Sequence, residues 1–148
     1  MKSTLKNIID YFSKKPRTLF LVDGLGAAWT AFSLYFIVRN FYNYLGMPAD
    51  ILTYLSVFGL IYCAYSLSCY FLCKNSWSLL LRIIGICNCI YCVVTMLLLF
   101  VFNIEITLLG YIYFFAEILI ILPLAFLELQ VAKRVRINIT VKPNSQNY

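Results

Sequence analysis

From Thr107 to Glu128 the chain reads TLLGYIYFFAEILIILPLAFLE, almost wholly apolar, with one carboxylic acid, Glu117, near its middle. A helix of about 20 apolar residues, rising ~1.5 Å per residue, matches a ~30 Å hydrocarbon core. An ionisable side chain at the centre of such a helix costs ~2.5–3.5 kcal/mol on insertion scales. This stretch therefore needs neighbours: Glu117 is expected to face protein and to find a partner there.

Composition supplies the neighbours. Of the 148 residues, 63% are hydrophobic and 12% charged, against ~45–50% and ~25% in soluble domains. Apolar runs fall at about 18–38, 51–73, 77–101 and 106–128. The expected fold is all-α and integral to the membrane: an up-down-up-down bundle of four transmembrane helices with a short N-terminal interfacial helix. Residues 1–16 form a basic amphipathic leader, with Leu5, Ile8, Ile9 and Phe12 at helical spacing. Residues 17–129 form the transmembrane domain and residues 130–148 a basic tail. RINITV in that tail alternates like a strand, but a lone strand is unstable, so the tail is expected to be mostly disordered. No cleavable signal peptide is expected, because the first apolar run begins only after Arg17 and lacks a small-residue cleavage site.

Small and polar residues recur on one face of each span. Span 1 carries Asp23, Gly26, Thr30 and Ser33. Span 2 carries Thr53, Ser56, Gly59, Cys63, Ser66, Cys69 and Cys73. Span 3 carries Ser78, Arg82, Gly85, Asn88, Cys92 and Thr95. Small residues let helix backbones approach closely, so these faces should turn inward. The short Lys74-Asn75-Ser76 turn suggests that spans 2 and 3 form an antiparallel hairpin.

The net charge of +6 is a topology signal. With four spans, every Lys and Arg except Arg39 falls on one side, which the positive-inside rule makes cytoplasmic for both termini. The expected location is a bacterial inner membrane. Asn138-Ile139-Thr140 matches a glycosylation acceptor pattern but would lie on the cytoplasmic side.

Orientation gives depth. Asp23 and Arg82 both lie about 8 Å in from the cytoplasmic boundary, while Asn88 and Glu117 both reach the midplane, ~15 Å in. Three polar layers are expected: Arg39 with Glu105, Asn88 with Glu117, and Asp23 with Arg82. Tyr113, one turn before Glu117, is a natural donor to it. The candidate ligand-binding or ion-coupling residues are therefore Glu117, Asn88, Tyr113, Asp23 and Arg82.

No His occurs, which removes histidine-ligated haem, His-containing zinc sites and His-based triads. No phosphate-binding loop, nucleophile elbow or metal-ligand spacing is present. No catalytic residue, metal or cofactor is expected, and no nucleic acid. Cysteines in a four-span chain invite comparison with quinone-linked thiol oxidoreductases. Cys89 and Cys92, however, lie near the midplane, whereas those enzymes place their pair near the non-cytoplasmic face.

LFLVDGLGAAWTAF after a basic leader, then YFFAEI in a Tyr/Phe-rich last span and a basic tail, resembles small uncharacterised four-span bacterial inner-membrane proteins. The resemblance implies topology and no chemistry. The leading expectation is a non-enzymatic accessory or binding protein holding a lipid, a small hydrophobic ligand or partner helices around a buried polar core. The alternative is a small homo-oligomeric transporter or channel component with Glu117 as coupling carboxylate. A thiol redox enzyme comes third. Membrane lipids are the expected partners, with a second copy or another membrane protein as further candidates.

Overall fold

The computed structural model describes residues 2–72 and 77–141, with side chains from 5–72 and 77–137. Residues 73–76, where the sequence suggests a short turn, the Asn138 side chain and residues 142–148 lie outside the described residues. Four helices are long and apolar enough to cross a membrane: Pro16–Leu45, Ala49–Leu72, Trp77–Val101 and Leu108–Ile137. We refer to them as spans 1 to 4. A separate N-terminal helix, Lys2–Lys14, precedes them. Among the described residues there is no strand, and the chain is an all-α membrane bundle.

Close packing pairs span 1 with span 2 and span 3 with span 4, while spans 2 and 3 approach only sparsely. The hairpin predicted from the short turn is thus not the packing unit. The units are the two flanking pairs, and the reason is side-chain size. A Cβ on Gly59 would lie 3.2 Å from the Ala31 Cβ and 3.5 Å from the Ala27 carbonyl oxygen. A Cβ on Gly85 would lie 3.0 Å from the Leu129 Cγ and 3.3 Å from the Ala125 carbonyl oxygen. Backbones this close gain dispersion contacts that larger residues would prevent. A serine-to-carbonyl bond helps tie each pair: Ser56 Oγ donates to the Ala31 carbonyl at 3.0 Å, and Ser78 Oγ donates to the Ala132 carbonyl at 2.7 Å.

The two loops meet at one end of the bundle. Gly46 takes the left-handed conformation, φ 76°, as the C-cap of span 1, with its N–H donating to the Tyr42 carbonyl. Thr107 donates from its backbone N–H to the Leu45 carbonyl at 3.0 Å, and from its hydroxyl to the Tyr44 carbonyl at 2.6 Å. The same hydroxyl accepts from Gly110 N–H at 3.2 Å, capping span 4. One side chain thereby starts a helix and staples the two hairpins.

The opposite end carries the N-terminal helix and the last turns of the chain. The final helix does not stop near Glu128: it runs Leu108–Val141, with Pro123 inside it. The expected disordered tail is therefore helical through Val141. Val131, Ala132 and Val135 are buried at helical spacing and pack with Ile9 and Phe12 of the N-terminal helix. That shared apolar cluster holds both elements, and Arg134 adds an ion pair to Asp10 at 2.8 Å.

Two apolar clusters close the bundle above and below its middle. One gathers Leu34, Leu55, Cys92, Leu99 and Phe114 toward the loops. The other gathers Leu19, Phe20, Leu81, Ile84 and Val131 toward the chain ends. The polar side chains described next lie between them.

Candidate functional site

Asp23, Ser66, Asn88 and Glu128 come one from each span and form a single hydrogen-bonded chain. Ser66 Oγ donates to Asp23 Oδ2. The Asn88 amide nitrogen donates to Asp23 Oδ1 at 2.8 Å and to Glu128 Oε2 at 3.0 Å. Asn88 has two N–H bonds on that nitrogen, and each serves a carboxyl from a different hairpin. All four residues are buried, with Glu128 at 0% exposure. Glu128 Oε1 has no partner among the described residues.

Toward the loops, Tyr91 of span 3 donates its hydroxyl to Glu117 Oε1 at 3.1 Å. Glu117 is 8% exposed, and its other oxygen, Oε2, is buried without a partner. The three buried acids, Asp23, Glu117 and Glu128, have no buried Lys or Arg beside them among the described residues. Among the described residues, no buried cation balances this layer.

A cavity of 240 Å³ connects the two carboxyl stations. Its floor is Asp23 and Asn88, and Glu117, Tyr91 and Tyr113 form its wall. Tyr62 and Gly59 of span 2 close the back. The mouth lies between span 1, at Gly26, Trp29 and Thr30, and span 4, at Ala116, Ile120 and Ile121. These two spans touch little. Trp29 and Ile120 are 69% and 72% exposed, so the mouth opens sideways, toward the acyl chains of a surrounding bilayer. Gly26 has nothing within 4 Å of where a Cβ would sit, so it borders empty space. The helix of span 1 widens to a π-helix over Ser33–Val38, beginning at cavity-lining Ser33. Such widenings recur at functional sites.

Four of the five residues singled out in the sequence gather here: Glu117, Asn88, Tyr113 and Asp23 line one cavity. Their partners differ from expectation. Asn88 bonds Asp23 and Glu128 rather than Glu117, and Tyr91 takes the donor role assigned to Tyr113. Arg82 is exposed and makes no ion pair with Asp23, because it leaves span 3 on the side away from span 1 and faces a groove with Lys133 and Arg136. Arg39 and Glu105 are both exposed and unpaired with each other; Arg39 instead stacks on the Tyr35 ring, 5.3 Å from its centre. Matched depth fixes height along a helix but not direction around it.

Glu128, Tyr91 and Ser66 were not singled out. The signal for Glu128 was present: it follows Glu117 by about three helical turns, which returns it to nearly the same face. Tyr91 likewise stands one turn from Asn88. Cys63, Cys87, Cys89 and Cys92 are free thiols, and no group of three or more His, Cys, Asp or Glu side chains placed to hold a metal ion occurs among the described residues.

This geometry can accept a hydrogen from an N–H or O–H donor at Glu117 Oε2 and can face a cation with aromatic rings and carboxyls. The fold and site define a multi-pass helical membrane protein with an internal polar layer and a laterally open cavity. Compared with known protein families, curated proteins and solved structures, the chain matches none.

Proposed function

We propose that this is a membrane-embedded binding protein that takes the polar head of a small amphiphile, a lipid or a lipophilic amine, from the bilayer into the cavity between spans 1 and 4. The observation that carries this reading is Glu117 Oε2, a buried acceptor without a partner on the wall of a cavity open to lipid. Buried acceptors normally have partners, and leaving one without costs about 1–3 kcal/mol. A volume of 240 Å³ lies below the ~300–1,000 Å³ of typical ligand pockets. It suits a head group, with the apolar body of the ligand remaining between the spans.

An alkylammonium head fits best. It would donate to Glu117, meet the rings of Tyr113 and Trp29, and supply the positive charge that the layer lacks. The test is thermal unfolding in lipid nanodiscs with octylamine, and with octanol for comparison. Octylamine is expected to raise Tm more than octanol, by mass action on the folded state. Glu117→Gln should remove the difference. Gly26→Leu, which fills the cavity and leaves the carboxyl intact, should abolish both effects. Equal stabilisation of wild type and both variants would overturn the reading.

Transport is the second reading, favoured by the Asp23–Asn88–Glu128 station beyond Glu117 toward the chain ends. It predicts pH-driven amine flux into liposomes that vanishes in Glu117→Gln; absence of flux at any pH removes it. We further infer a bacterial inner membrane with both termini cytoplasmic. Lys6, Lys14, Lys15, Arg17, Arg82, Lys133, Arg134 and Arg136 lie toward one end of the bundle and Arg39 toward the other, in keeping with the positive-inside rule. A fluorescent-protein fusion at either terminus that fails to light up in the cytoplasm would reject this orientation.

A further inference from the structure

A second recess lies on the outer surface of spans 3 and 4, near the chain ends and away from the Glu117 cavity. It measures 620 Å³. Arg82 stands on one wall, Lys133 and Arg136 on the other, and Leu79 and Leu129 line the rest. No acidic residue lines it among the described residues. Ser78 Oγ, bonded to the Ala132 carbonyl, joins the two helices at its floor.

Arg82 makes this recess more than a basic patch. It sits more than a turn inside span 3, next to exposed Ile83 and close to exposed Leu79 and Ile86. Those neighbours face lipid. Among the described residues no hydrogen bond, ion pair or ring contact engages its guanidinium, and the recess it faces adds two more cations, Lys133 and Arg136. A cation at the edge of the hydrocarbon, unanswered among the described residues, calls for an anion from the membrane. A guanidinium offers paired N–H donors that match two oxygens of a phosphate. Leu79 and Leu129 offer the adjoining apolar surface that an acyl chain would cover.

We propose that this recess binds the phosphate head of an anionic phospholipid, Arg82 gripping the phosphate from span 3 and Lys133 and Arg136 from span 4. Three cations around one recess favour a head with two phosphates, as in cardiolipin, over a head with one. The bound lipid would clamp spans 3 and 4 beside their Gly85 contact. This site is independent of the amphiphile cavity, and its occupant is a different chemical class.

Native mass spectrometry of the purified protein, with cardiolipin, phosphatidylglycerol or phosphatidylcholine added, tests the proposal. Retained adducts should rank in that order, with cardiolipin at least tenfold above phosphatidylcholine. Arg82→Gln/Lys133→Gln/Arg136→Gln should lower cardiolipin retention about tenfold. Removing the same number of charges elsewhere, as Lys6→Gln/Lys14→Gln/Lys15→Gln, should leave retention within twofold of wild type. Inorganic phosphate should not compete, because it lacks the acyl chains. Equal retention of all three lipids, or equal loss in both charge variants, would overturn the proposal. Glu117→Gln should retain cardiolipin as wild type does, which separates this result from the fate of the cavity.

Discussion

The contacts inside each hairpin and the seam between the hairpins obey opposite rules. Inside, helices approach on glycine and alanine: Gly59 meets Ala31, and Gly85 meets Ala125 and Leu129. The inner faces leave no room for another carbon. At the seam, spans 1 and 4 stand apart around a 240 Å³ cavity lined by carboxyls, an amide and phenols, and the Asn88–Asp23 bond crosses from one hairpin to the other. Lipid is as apolar as leucine, so close fit rather than water exclusion holds helices together. The hairpins supply the fit. The seam contains the groups that are costly to bury, and such groups in a membrane mark sites of function.

That contrast ranks the effects of substitution. Inside a hairpin, Gly85→Leu should be the most damaging, by about 1–3 kcal/mol or more, because a side chain has to enter space held by Leu129. Loss of the cooperative thermal transition in detergent would register it, and a wild-type Tm would break the contrast. At the seam, Asn88→Ala should cost about 2 kcal/mol, since two buried carboxyls lose their shared donor. A smaller change is expected for Glu117→Gln, under about 1 kcal/mol, because an amide oxygen can still accept from Tyr91. A large drop in its unfolding midpoint would instead assign Glu117 to structure. Least of all should be Arg134→Gln, within ~1 kcal/mol, since this pair is 44% and 37% exposed.

The same contrast explains what the sequence could reveal. Length, composition and the stripe of small residues on each span are one-dimensional; they predict four spans correctly, and the inward polar stripe holds for Asp23, Ser66 and Asn88 but not for Arg82, which is exposed. Glu117, Asn88, Asp23 and Tyr113 were legible as core residues because apolar surroundings make a polar group conspicuous. Partner choice was not legible, since it depends on rotation about each helix axis and on which helices pair. Asp23 and Arg82 share a depth but point apart. Glu128 looked like the end of a span because the apolar run stops there. In the fold the helix continues, since Val131, Ala132 and Val135 find an apolar partner in the N-terminal helix, a contact far away in sequence. The cavity itself has no signature in the chain: Gly26 borders empty space and Gly59 a packed wall, although both are glycines on inward stripes.

Photolabelling with a diazirine-bearing alkylamine in nanodiscs probes the seam most directly. If the cavity receives the head of an amphiphile from the lipid, label should concentrate on span 1 around Trp29 and on span 4 around Ile120. It should fall at least fivefold in both Glu117→Gln and Gly26→Leu. Label spread evenly over all four spans, or unchanged in the two variants, would contradict the account.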